Sequence, residues 1–201
     1  MRMRINRRSL IAGIAGLALT RPLAARAADS APALDAELRG RAKAALDHHR
    51  RSITAVDRIG IADFSAPSRL PRFHIVDVDS GHALTFLVAH GRGSDPAHSG
   101  WLSRFSNEPG SNASSAGAYH TGDAYVGQHG RSRRLIGLDP SNSNAEARAI
   151  VIHGAVYVGQ SVIAMQGKLG RSEGCLALAP TDIDRVMDLL GPGRLIYADK
   201  V

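Results

Sequence analysis

Cysteine occurs once in the 201 residues, tryptophan once, and aromatic residues make up 4% of the chain. A lone cysteine excludes an internal disulfide, so its thiol is buried and inert, joins two chains, or is used chemically. Among the nine histidines no two have the close ligand spacing of His-x-His or His-Glu-x-x-His. That spacing argues for chemistry without a metal or other cofactor, against the rival zinc site built from His90, His120, His129, His153 and Cys175. No uncharged apolar run reaches the about 20 residues that span a bilayer. Strands and helices do not alternate as in a doubly wound sheet, and there is no internal repeat.

The formal net charge of +7 suggests at first a basic protein. Residues 1–27 carry six arginines and no acid, so removing them leaves about +1 on 174 residues. With no basic stripe interleaved with aromatics in that remainder, nucleic acid is excluded as a partner. The first segment itself has paired Arg7-Arg8, a small apolar run from Ala12 to Thr20, and Ala25-Arg26-Ala27. These are the parts of a twin-arginine export signal, which predicts a periplasmic protein with no membrane attachment after cleavage. The rest suits one domain with a full core. Nothing in it reports the oligomeric state.

Residues 28–57 read as an N-terminal helical segment, with Leu34, Leu38, Ala42, Ala45 and Leu46 at helical spacing between about Ala33 and Arg51. His48 and His49 at its end are expected to be solvated. From residue 58 the pattern becomes β: a strand at Ile59–Phe64, then a hairpin of Phe73–Val78 with Ala83–Ala89. The stretch from His90 to Tyr119 is dominated by Gly, Ser and Asn; long loops of this kind are often functional, and Trp101, Leu102 and Phe105 predict that it packs. Strands follow near Ala124–Val126 and Arg134–Leu138, with a helical turn in Asn142–Arg148. Ala149–Val158 is the strongest strand pattern, and a short loop joins it to Cys175. A helix capped by Thr181, with Ile183, Val186, Met187 and Leu190 on one face, ends at Gly191-Pro192-Gly193 before a last strand. The fold class is mainly β, a β-rich α+β domain.

A thiol attacks as the thiolate and needs a base to become one near neutral pH. His153, interrupting an apolar strand, is the best base in the sequence, because a polar ring there requires a partner. Gly174 lets the backbone turn before Cys175, and the amides of Gly174 and Cys175 are candidates to hold an oxyanion. Arginine clamps carboxylates in two-pronged geometry, which makes Arg171 and then Arg148 the first choices for a substrate acid. Tyr125, Tyr157 and His129 are candidates to line a cleft.

His153-Gly154 followed by Ser172-Glu173-Gly174-Cys175 resembles the His-Gly and Ser-x-Gly-Cys signature of the L,D-transpeptidase catalytic domain, called YkuD-like. The longer series, from His90-Gly91 through Phe105-Ser106-Asn107, Ser114-Ser115, Tyr125, His129-Gly130 and His153-Gly154-Ala155-x-Tyr157 to Gly170-Arg171-Ser172, is similar to its second branch over roughly residues 58–200. That resemblance implies a catalytic domain at 58–201 that takes an acyl group from a peptidoglycan stem peptide and passes it to an amine, normally of meso-diaminopimelate. It makes Cys175 the nucleophile and His153 the base, with Ser172 and Gly174 shaping the pocket. Ser115-x-Gly117-x-Tyr119 stands where most members have Thr-Pro-x-Gly-x-Phe/Tyr, which puts Ser115 and Tyr119 at the border of the site. Leu176-Ala177 replaces the apolar-arginine pair of many members, and the gap from His153 to Ser172 is longer than usual. Linkage through L-alanine is the alternative to the diaminopimelate bridge. A peptidase using the same thiol and a non-catalytic wall-binding domain are further readings.

Overall fold

The computed structural model describes residues 33–201. The export-signal expectation for residues 1–27 lies outside them. Nine strands form one mixed sheet. In chain order they are β1 (Arg58–Asp63), β2 (Phe73–Asp77), β3 (Ala83–Phe86), β4 (Val88–Ala89), β5 (Gly117–Gly127), β6 (Gly130–Gly137), β7 (Val151–Gly154), β8 (Leu176–Leu178) and β9 (Leu195–Asp199). The helices are α1 (Ala36–His48), α2 (Gln160–Gln166) and α3 (Ile183–Leu189). The mainly β class expected from the sequence is what the structure has.

Across the sheet the order is β3-β2-β1-β9-β5-β6-β7-β8-β4, with β1/β9 and β7/β8 parallel and the other neighbours antiparallel. Its two edge strands, β3 and β4, are separated in the chain by Leu87 alone. The sheet therefore curls until its edges nearly meet, and its concave face encloses the main core of Phe64, Phe73, Tyr119, Leu135, Ile152, Leu176 and Leu178, closed by Val186 and Met187 from α3 and by Leu190 at its C-cap. The run read as one strand from Ala83 to Ala89 is thus two, because its halves pair with opposite edges. On another face, α1 lays Leu38, Ala42 and Leu46 against Ile59, Ile61 and Leu195. Its first turn is capped by Asp35, whose carboxylate accepts from the amides of Glu37 (2.8 Å) and Leu38 (3.1 Å).

Other expectations need correction. His49 is not solvated: its Nε2 lies 2.8 Å from Asp139 Oδ1. Thr181 does not cap α3; Asp182 occupies that position, with no side-chain bond to the helix. The pattern at Ala149–Val158 yields only four residues of strand, because Ala149 has φ 53° and the chain turns after Gly154 to put Ala155 and Val158 into a satellite core with Leu169 and Ala177. Between β7 and Cys175 lies α2 and not a short loop. Within residues 90–116 the only helical element is a short 3-10 turn at Arg92–Ser94, yet Leu102 is buried and Phe105 packs on the main core, while Trp101 stays 48% exposed.

Candidate active site

Parallel pairing sets Ile152 beside Leu176 and His153 beside Ala177. By the two-residue period of a strand, Val151 and His153 face one side, and Cys175, one step before β8, faces the same side beside Val151. Ile152, Leu176 and Leu178 take the opposite side, into the main core. The register thus brings the thiol and the imidazole to the same wall of one cleft of about 640 Å³, which they line together with Tyr125, His129, Arg148, Tyr157, Arg171 and Glu173. The apolar pattern of β7 forces this side choice, since a one-residue slip would send His153 into the core and Ile152 into the cleft.

His153 Nδ1 lies 2.9 Å from the Gly154 carbonyl oxygen. A carbonyl only accepts, so Nδ1 carries the proton and the neutral ring has its lone pair on Nε2. The group that orients the imidazole is thus the backbone of the next residue. Burial lowers the His153 pKa, the Gly154 carbonyl works the other way, and His129 lowers it further. Burial also raises the Cys175 pKa, against the amide of Val151 and the charge of Arg148, which favour the thiolate. The two shifts oppose an ion pair at rest: thiol and imidazole are both neutral. The thiol donates instead to the Ala149 carbonyl at 3.7 Å. Ala149, at positive φ, is a site feature with no sequence signal, because alanine is not a residue that announces that conformation.

The Cys175 loop is held from behind. Ser172 Oγ donates to the Cys175 carbonyl (2.7 Å) and accepts the Gly174 N–H (3.2 Å), so the Gly174 amide expected to face an oxyanion is already engaged. Ser114 Oγ accepts from Gly91 N (3.0 Å) and donates to the Gly174 carbonyl (3.1 Å). Ser172 N donates to the His90 carbonyl and Arg92 N to the Ser172 carbonyl, at 3.0 and 2.7 Å. Gly174 has φ +122°, and a Cβ there would stand 2.8 Å from the Ala113 carbonyl oxygen and 2.8 Å from Ile150 Cδ1. His90 itself is buried beneath. Its Nδ1 accepts from Arg72 Nη2 at 2.7 Å, and its Nε2 stands 3.5 Å from Asp95 Oδ2, past ordinary hydrogen-bond length. Burial first, then the Arg72 charge, push its pKa down to about 4.

The two arginines differ. Arg148 Nη1 donates to the Ser106 carbonyl (2.8 Å) and Ser115 Oγ (2.7 Å), while Nη2 donates to Ser111 Oγ (3.3 Å) and the Ala113 carbonyl. It is a strut for the Ser- and Asn-rich loop, assisted by Asn144, whose amide and Nδ2 bond Asn107. Arg171 uses Nη1 alone, on the Asp95 and Pro96 carbonyls. Tyr125 and His129 line the cleft. Tyr119 and Ser115 do not: Tyr119 is buried, with its hydroxyl donating to the Ser115 carbonyl, and Ser115 Oγ is bonded to Ser106 and Arg148. Tyr119 is turned into the main core from β5, and Ser115, two residues before that strand, is tied into the strut. Among the described residues no group of three or more His, Cys, Asp and Glu is placed to hold a metal ion.

None of the curated proteins matches this chain. Solved structures similar to it include L,D-transpeptidase 1 of Mycobacterium tuberculosis, with TM-score 0.40 and 17% identity over 70% of this chain and 60% of that one. They also include the helical cell shape determining protein Pgp2 of Campylobacter jejuni, with TM-score 0.47 and 12% identity over 74% and 48%. This chain spans less than two thirds of the length of each. The model of the L,D-transpeptidase catalytic domain (YkuD_2) matches residues 30–198, a span that takes in α1 as well as the whole cleft. That match covers well over half of the chain, which therefore belongs to the L,D-transpeptidase catalytic domain family.

Proposed function

We propose that this protein is a peptidoglycan L,D-transpeptidase in which Cys175 is the nucleophile and His153 the base. The observation that carries the reading is the register of β7 and β8, which sets a thiol and an imidazole with a bare Nε2 on one wall of one cleft. In the first half-reaction the Sγ proton passes to His153 Nε2 as sulfur bonds the stem-peptide carbonyl carbon. The C–N bond to the terminal residue then breaks, and the departing amine takes the proton from His153. In the second, an acceptor amine, of meso-diaminopimelate in the common link, attacks the thioester, gives a proton to His153, and the thiol is restored.

With the Gly174 N–H bonded to Ser172, the Cys175 amide is the remaining backbone donor for the oxyanion, and one such donor is worth about 2.7–4 kcal/mol. For the substrate carboxylate Arg171 is favoured over Arg148, since among the described residues only its Nη1 has an acceptor while both Nη atoms of Arg148 are committed. The twin-arginine segment supports action in the periplasm, where wall peptides are.

Incubating the protein with purified muropeptides and identifying products by mass tests this reading. A joined dimer that disappears with Cys175→Ala and with His153→Ala is the expected result. Shortened monomers alone would make the protein a peptidase, and dimers formed by Cys175→Ala would refute the thiol mechanism.

A further inference from the structure

The imidazoles of His129 and His153 are stacked, with centroids 4.4 Å apart and planes at 25°. They come from separate elements: His129 sits in the two-residue turn between β5 and β6, and His153 on β7. His129 is exposed, and it borders both the Cys175 cleft and a second open groove of about 460 Å³ shared with Arg131, Val156 and Asp184. It is thus the lid on the face of the base that would otherwise open to that groove. Gln128 Nε2, an amide donor, lies 3.1 Å from His129 Nε2, which must accept. With Nε2 accepting, the His129 proton sits on Nδ1.

We propose that His129 is a positioning residue for His153, whose own protonation decides whether His153 can hold the proton it takes from the thiol. A neutral ring over the new imidazolium offers it a π face and keeps bulk water off it. A protonated ring places like charge at 4.4 Å. At the dielectric of water that repulsion moves the titration of His153 by about 0.7 pH unit, and by more in the half-buried cleft. The two rings then lose their protons in two coupled steps. The charged and titratable groups facing the pair are Tyr125 from β5, Arg131 from β6, Tyr157 after β7, Asp184 from α3, and Arg148, Arg171, Glu173 and Cys175 across the cleft. Arg131 is paired to Asp184 and Asp188, at 3.1 and 2.8 Å, so its charge is offset on the groove side of His129.

This inference rests on the role of His153 given above, but its test does not use turnover. The ring signals of His153 are titrated by NMR in the full chain, in wild type, His129→Phe and His129→Gln, alongside the pH dependence of Cys175 alkylation by iodoacetamide. His129→Phe keeps a flat ring and removes the charge, so the His153 titration is expected to rise by about 0.7 unit or more. His129→Gln is expected to raise it as well, with a less ordered ring. An unchanged His153 titration in both folded variants overturns the proposal whatever the muropeptide result. A shift of the expected sign in a protein that joins no muropeptides leaves the stacking device standing and removes the transpeptidase reading.

Discussion

Gly174→Ala is the substitution for which the structure gives the sharpest expectation. The new methyl would meet the Ala113 carbonyl oxygen and Ile150 Cδ1, each at 2.8 Å, and Arg148 Nη2 at 3.1 Å. Neither of the first two can yield: one is backbone behind the strut, and Ile150 is 2% exposed in the main core. An L-residue at φ +122° also sits outside its normal range. Backbone strain of about 1–3 kcal/mol and overpacking of about 1–3 kcal/mol together give about 4 kcal/mol. At about 2–4 °C per kcal/mol for a domain of this size, the melting temperature falls by about 8–16 °C. The cheaper escape is for the Cys175 loop to peel away from Ser172 and Ser114, which displaces the thiol from the register of β8. Thermal unfolding by circular dichroism reads the first outcome and iodoacetamide alkylation of Cys175 the second. A variant that melts within 2 °C of wild type and alkylates at the same rate would refute the packing argument, since strain of this size must appear in one readout or the other.

Three further outcomes follow from the buried groups. Folded His90 titrates at about 4 against 6.5 for the unfolded ring, so the unfolded chain binds more protons in that window and stability falls as pH drops through it, by about 3 kcal/mol. His90→Asn, which keeps an acceptor for Arg72, should flatten that part of the curve in urea unfolding between pH 7 and 4; an equal slope in both proteins contradicts the assignment. Because burial raises the Cys175 pKa, its alkylation rate should still climb above about pH 8.5, and a plateau below neutrality would show a thiolate already formed. Arg148→Ala leaves the Ala113 carbonyl without its side-chain donor and the Ser106 carbonyl with Ser115 Oγ alone, and should raise amide hydrogen exchange across residues 105–116 at least tenfold, whereas Arg171→Ala should spare that loop; equal protection in both would remove the strut.

The chemistry was more legible in the sequence than the path of the chain. Cys175 and His153 stand out because a lone thiol and a polar ring in an apolar strand each need a reason, and the same apolar pattern decides which side of the sheet they share. Tyr119 and Ser115 were misplaced because a motif position does not say which way a side chain points, on β5 for Tyr119 or in the loop before it for Ser115. Helix α2 escaped notice since it is seven residues long and buries Val162 alone, although Gly167 at φ 72° marks its end. The split at Leu87 was invisible for a different reason: a continuous apolar run reads the same whether one strand or two edges of a curled sheet use it. The Ala149 carbonyl and the Gly154 carbonyl, both partners in the site, are backbone atoms and leave no trace in residue identity.

The most direct measurement is the intact mass of the protein during reaction with a tetrapeptide stem, followed by peptide mapping of any adduct. The expected result is a gain equal to the donor acyl group, confined to Cys175 and absent from Cys175→Ser when His153 is intact. Turnover of the stem by a protein whose Cys175 never gains mass, or an adduct on another side chain, would contradict it.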